Sequence, residues 1–117
     1  MPTFEKGDVV RVPFAYTDRN TRQRRPALVI SAGPVGADGA LLWVLMITSA
    51  ENRGWPGDVD LDDAQSAAGL PIPSIVRTAK IATIEARSAA GLGRISPGLP
   101  SRVEAQVRRA LGLGRAI

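Results

Sequence analysis

Twelve glycines and nine prolines are spread along this 117-residue chain, and they keep every apolar run short. The longest, Ala40–Thr48 (ALLWVLMIT), is far too short to cross a bilayer. Punctuation of this kind suits short strands joined by tight turns. No internal repeat, low-complexity tract or linker interrupts it, so residues 1–117 are expected to form a single domain.

The pattern between the breaks is mostly that of strands. In Asp8–Phe14 (DVVRVPF), Val10, Val12 and Phe14 fall on one face, and Pro13 marks an edge or bulge. Ala15–Arg24 reads as a polar, mobile loop, and Ala27–Ser31 as a second strand entered through Pro26. Leu41–Ser49 is apolar on both faces and is expected to be central, with Trp43 in the core. Asn52–Gly57 is a loop, and Asp58–Leu61 a short strand with Val59 and Leu61 inward. Asp62–Ala68 suits one or two helical turns. Ser74–Ile84 is a long β-branched strand, Glu85–Ala90 a short helix and Leu92–Ile95 a weak strand. Near the end, Ser101 and Glu104 have capping-box spacing. Val103, Val107, Ala110 and Leu111 then share one helical face, and Gly112 supplies the stop. Five or six short strands and a terminal helix predict a mainly β fold with α additions (α+β), a small barrel.

The chain contains neither cysteine nor histidine. That excludes disulfides and most zinc or copper sites. It also excludes Ser-His-Asp, Cys-His and His-His catalysis within the chain, leaving Arg, Lys, Ser, Thr, Tyr and carboxylates. MPTFEKGDVV has no basic segment followed by an apolar one, so the expectation is a soluble cytoplasmic protein.

The net charge of +4 is unevenly placed. Residues 1–30 hold six cations and three acids, residues 31–85 three and seven, and residues 86–117 six and one. Two basic ends around an acidic middle suit an anionic ligand such as RNA or DNA; an Arg-rich solvated surface is the alternative.

Four features could carry chemistry. Pro26 extends the backbone at Arg25, and the planar fork of an arginine can donate two parallel hydrogen bonds to phosphate. Arg24-Arg25-Pro26 is also compatible with a solvated charge cluster before a strand. Thr48-Ser49, ending the central strand, can donate to a phosphate or cap a turn. In regular alternation Arg77 faces opposite to Ser74 and Lys80, so only a bulge or a dimer interface would bring all three to one face. The aspartates Asp58, Asp60 and Asp62 alternate outward and, with Asp63, lack the glycine turn and closing glutamate of a calcium loop. They read as a solvated strand edge, and no metal is expected. Trp55 could stack on a base, pack in a dimer or touch a protein partner.

Taken in order, GDVVRVPF (Gly7–Phe14), RRPALVIS (Arg24–Ser31), ITS (Ile47–Ser49), GDVDL (Gly57–Leu61), GLPIPSIVRTAKIATIE (Gly69–Glu85) and GLGRIS before a final helix resemble the PemK/MazF toxins of bacterial type II toxin–antitoxin systems. The resemblance implies a compact SH3-like barrel of 5–7 strands with a C-terminal helix, a homodimer and an acidic antitoxin as partner. It also implies cofactor-free, metal-independent, sequence-selective cleavage of single-stranded RNA. The catalytic pair implied is Arg25 and Thr48, with Arg77 from the fifth strand and neighbouring Ser49 as further candidates. Arg22, Arg24, Tyr16, Arg19, Ser74 and Lys80 are expected to bind RNA, with the loop before Arg25 as a lid. Two positions depart from the pattern. Some family members have an acid in the loop here reading Asn20–Gln23, and another where this chain has Ala79. The resemblance therefore leaves open a non-catalytic module that binds RNA or antitoxin. A toxin of the same fold acting on a protein such as DNA gyrase also remains open.

Overall fold

The structure is a computed structural model that describes residues 3–15, 22–61, 69–95 and 100–113. Among these, six strands form one antiparallel sheet: β1 (Asp8–Ala15), β2 (Arg22–Val29), β3 (Leu41–Ser49), β4 (Asp58–Asp60), β5 (Ser74–Glu85) and β6 (Ala90–Arg94), followed by helix α1 (Ser101–Ala110). Their spatial order is β4-β5-β3-β2-β1-β6. β3, apolar on both faces, lies between β5 and β2 as its sequence demands. β4 and β6 stand at opposite edges, yet Val59 of β4 and Leu61 just after it share a core with Ile95 after β6. Joining both edges to one core requires the sheet to roll on itself. Val9, Leu28, Leu45, Ile47, Leu70 and Val76 complete this core, which α1 closes through Val103 and Val107. The opposite face has a second core of Val10, Val12, Ala27, Val29, Leu42, Val44 and Met46, covered in part by Phe4. Among the described residues, no helix is long and apolar enough to cross a membrane.

Several boundaries differ from expectation. β2 begins at Arg22 instead of Ala27, because Val12–Ala15 of β1 supplies ladder partners for Arg22–Arg25. The polar loop is shortened accordingly. β6 begins at Ala90 because Val10 and Arg11 pair with Gly91 and Ala90, which reduces the predicted helix to a 3-10 turn at Ala86–Ser88. Pro13 sits where β1 has β2 on one side and no β6 residue on the other, the edge setting that a missing N–H tolerates. Trp43 is not in the core: 48% of it is exposed, because β3 there runs past the interior cluster. The capping box does not form. Pro100 occupies the N-cap position, Ser101 lies inside the helix, and no side chain caps it. The stop at Gly112 does form: Gly112 N–H donates to Arg109 O (3.1 Å) and Leu113 N–H to Arg108 O (2.9 Å), with Gly112 at φ 72°. Ala110 and Leu111 stay exposed, so the helix is anchored by its first two turns. The predicted turns at 62–68 lie outside the described residues.

Candidate active site

The site originates in a missing hydrogen. Along a strand of an antiparallel sheet, backbone N–H and C=O groups point alternately to the two neighbours. Ile30 N–H donates to Trp43 O (2.9 Å) on β3, whereas Val29 O accepts from Gly7 N (2.9 Å) on the β1 side. Counting back by twos, position 26 faces β3, and proline has no N–H to give. The β2–β3 ladder accordingly stops at Ala27↔Met46. Continuing its register by two residues sets Arg25 opposite Thr48, just beyond the last ladder pair. Pro26 thus opens a seam in the sheet at the residues expected to be the catalytic pair. Meanwhile β1 keeps Arg25 in register through Val12.

A cavity opens on each side of this seam. The larger, about 460 Å³, lies between Arg11, Arg24, Arg25 and Pro26 on one wall and Thr48, Ser49, Ser74 and the Gly69–Ile72 segment on the other. The smaller, about 230 Å³, is lined by Arg25, Met46, Ile47, Thr48, Asn52, Arg77 and Lys80. Arg25 and Thr48 line both. Cations and hydroxyls dominate the polar walls, a setting suited to a phosphodiester backbone.

A bulge puts Arg77 and Lys80 on the same wall. Leu45 pairs with Ile81, but the next residue, Met46, pairs with Arg77. Thr78, Ala79 and Lys80 have no β3 partner, and the slip reverses the alternation. Ser74 pairs with Ser49 on the other face and lines the larger cavity. The three predicted functional residues of β5 are therefore divided between two cavities.

The Arg77 guanidinium is clamped. Its Nε donates to Asp58 Oδ1 (3.2 Å), and its Nη2 to Asp58 Oδ2 (3.1 Å) and Asn52 O (2.6 Å). Its Cζ lies 4.2 Å from the centroid of the Trp55 ring, a cation–π contact. The side chains of Arg77 and Asp58 are only 11% and 9% exposed. Asp58 therefore departs from the solvated edge expected of it. Burial pushes its carboxyl up. The Arg77 hydrogen bond, the Trp55 and Gly54 N–H groups and the Arg77 charge outweigh that push and hold it below the ordinary 3.8. Asp60 pairs with Arg53 at 3.3 Å in a more exposed setting. Among the described residues, no cluster of acids has the form of a metal site.

Thr48 and Ser49 begin a 3-10 turn, Ala50–Asn52. Ser49 Oγ caps it by accepting from Glu51 N–H (3.2 Å), and Thr48 Oγ1 accepts from Asn52 Nδ2 (2.9 Å). Ser74 Oγ donates to Ile72 O (2.8 Å). Arg24 is exposed at the mouth of the larger cavity. Tyr16, Arg19, the side chain of Arg22 and the predicted lid lie outside the described residues. Sequence reasoning did not single out Asn52 or Arg11, and it read Asp58 only as part of a strand edge. The one signal for Asn52 was its place four residues after Thr48, behind a serine suited to starting a turn.

The sequence matches the family model of the PemK-like, MazF-like toxins of type II toxin–antitoxin systems over residues 5–113. Among solved structures, a mycobacterial endoribonuclease held with its cognate antitoxin has 20% identity and a TM-score of 0.72, over 96% of this chain and 98% of that one. MazF of Deinococcus radiodurans in complex with MazE has 28% identity and a TM-score of 0.65, over 93% and 92%. MazF of that organism in another crystal form has 22% identity and a TM-score of 0.67, over 96% and 99%. No curated protein sequence matches.

Proposed function

The chain belongs to the PemK-like, MazF-like toxins of type II toxin–antitoxin systems, and from that premise we propose that it is a metal-independent endoribonuclease cutting single-stranded RNA. The observation that carries this is the register: continued beyond Ala27↔Met46 it sets Arg25 opposite Thr48, and both line the cavities on either side of the seam. In the proposed reaction the ribose 2′-oxygen attacks the adjacent phosphorus. The O2′–P bond forms and the P–O5′ bond breaks. The 2′-hydroxyl gives up its proton and the departing 5′-oxygen gains one. The products are a 2′,3′-cyclic phosphate and a 5′-hydroxyl. Because the nucleophile belongs to the substrate, the protein must orient it and stabilise charge on the phosphorane. Arg25 donates to the non-bridging oxygens, and Thr48 adds a neutral donor. Arg11, Arg24 and Lys80 hold the flanking phosphates. Cutting messenger RNA in the cytoplasm would stop translation and growth. The same basic walls suit an acidic antitoxin segment, which would block them. The chain acts as a homodimer in this reading; exposed Trp43 and Ile81, diagonal neighbours on one face of β3 and β5, give a surface for self-association.

The test is cleavage of a diverse single-stranded RNA pool in EDTA, with the ends identified chemically. Arg25→Ala and Thr48→Ala should each slow cutting by about 10²–10³-fold, the usual loss for one charge-stabilising donor, while the fold melts cooperatively. Normal cutting by both variants sinks the site assignment. Wild-type protein that cuts nothing favours a binding module instead.

A further inference from the structure

Arg77 and Asn52 form a chain of contacts that ends on Thr48. Arg77, held by Asp58 and Trp55, donates to the Asn52 backbone oxygen (2.6 Å), and the Asn52 side-chain amide donates to Thr48 Oγ1 (2.9 Å). An amide NH₂ can only donate, so the Thr48 oxygen is the acceptor and its own proton must point elsewhere. Thr48 lines both seam cavities, with Asn52 beside it in each, so the cleft is open to that proton. We propose that Asn52 is a positioning residue that aims the Thr48 hydroxyl proton into the cleft, and that Arg77 acts through Asn52. This rests on the endoribonuclease reading above. It gives Arg77, expected as a further catalytic candidate, the role of supporting a polarity device. Thr48 arrives with its donor already oriented, and no rotor has to be ordered as the phosphorane forms.

Two measurements on the full chain decide it. In ¹⁵N-labelled protein, the Asn52 side-chain amide resonances should shift in Thr48→Val and in Arg77→Lys. Resonances unmoved by Thr48→Val overturn the proposal whatever the activity. In cleavage kinetics at the strongest site of an RNA pool, Asn52→Ala should lower kcat roughly tenfold, the scale of one neutral hydrogen bond, with KM unchanged. Asn52→Asp should be worse, because a carboxylate accepts the Thr48 proton and turns it away from the cleft. In a Thr48→Ala background neither substitution should add a further loss. Equal losses in both backgrounds, or an Asn52→Asp variant as fast as wild type, overturn it. Wild-type protein that cuts nothing sinks the endoribonuclease reading, and the resonance shifts still decide whether Thr48 is held as described.

Discussion

Replacing Asp58 by asparagine keeps the shape of the side chain and removes the charge facing Arg77. In the native protein the pair is nearly enclosed, at 9% and 11% exposure. Removing one partner of a buried ion pair typically costs about 3–5 kcal/mol, because the other charge stays behind. Here Arg77 keeps its bond to Asn52 O and its contact with Trp55, and an amide oxygen can still accept one hydrogen bond. The expected loss at neutral pH is therefore below that range, about 2–3 kcal/mol, or roughly 10 °C in Tm for a domain this size. The pH dependence has a definite sign. The Asp58 carboxyl is held below 3.8 in the folded protein, so its contribution is complete above the unfolded value and is lost as pH falls through the folded one. The asparagine variant has no group there to titrate. Urea melts of wild type and Asp58→Asn from pH 7 to pH 2 should show a constant gap down to about pH 5 that closes in acid. A gap below about 0.5 kcal/mol at pH 7, within the range of an ordinary surface pair, would refute the buried clamp. So would a gap that widens as the acid is added.

Two further substitutions probe the walls of the cleft. Pro26→Ala supplies the N–H that position 26 lacks toward β3. It should change stability by no more than about 1 kcal/mol while slowing RNA cleavage, with hydrogen exchange showing a protected amide at that position; an unprotected amide would contradict the account of the seam. Gly69→Ala places a Cβ against the Leu92 carbonyl oxygen at a residue with φ +73°. A loss of about 2–4 kcal/mol is expected in denaturant melts, and a neutral result would show that the Gly69–Ile72 wall can move aside.

The parts of this protein legible from sequence are those fixed by local chemistry. β3 is central because its first seven residues offer no polar face, and Gly112 ends α1 because the turn there needs a positive φ. Arg25 and Thr48 were expected as a pair only from the order of motifs along the whole chain, and no local pattern links them. What stayed hidden depends on partners far away in sequence. β2 starts at Arg22 because β1 lies beside it, a fact absent from the RQRR stretch itself. Trp43 is apolar in an apolar run, and only the reach of the interior core leaves it exposed. Asp58 alternates like a solvated residue but meets Arg77, 19 positions away. Ser101 has the spacing of a cap, yet Pro100 takes the place where the cap would sit. Alternation alone separated Arg77 from Lys80 and named a bulge as one way to reunite them; the fold supplies that bulge at Thr78–Lys80.

That unpaired stretch has a further consequence, for the lengths this sequence can tolerate in its lineage. On either side of it the faces of β5 are set by pairing with β3, Arg77 opposite Met46 and Ile81 opposite Leu45, and not by the number of residues between. Removing all three unpaired residues would leave Arg77 and Ile81 adjacent, as Met46 and Leu45 are, with Ala82 and Ile84 still in the second core. Changes of length should therefore be absorbed at Thr78–Lys80 more readily than in the paired stretches of β5, where one residue more or less turns every later side chain to the other face.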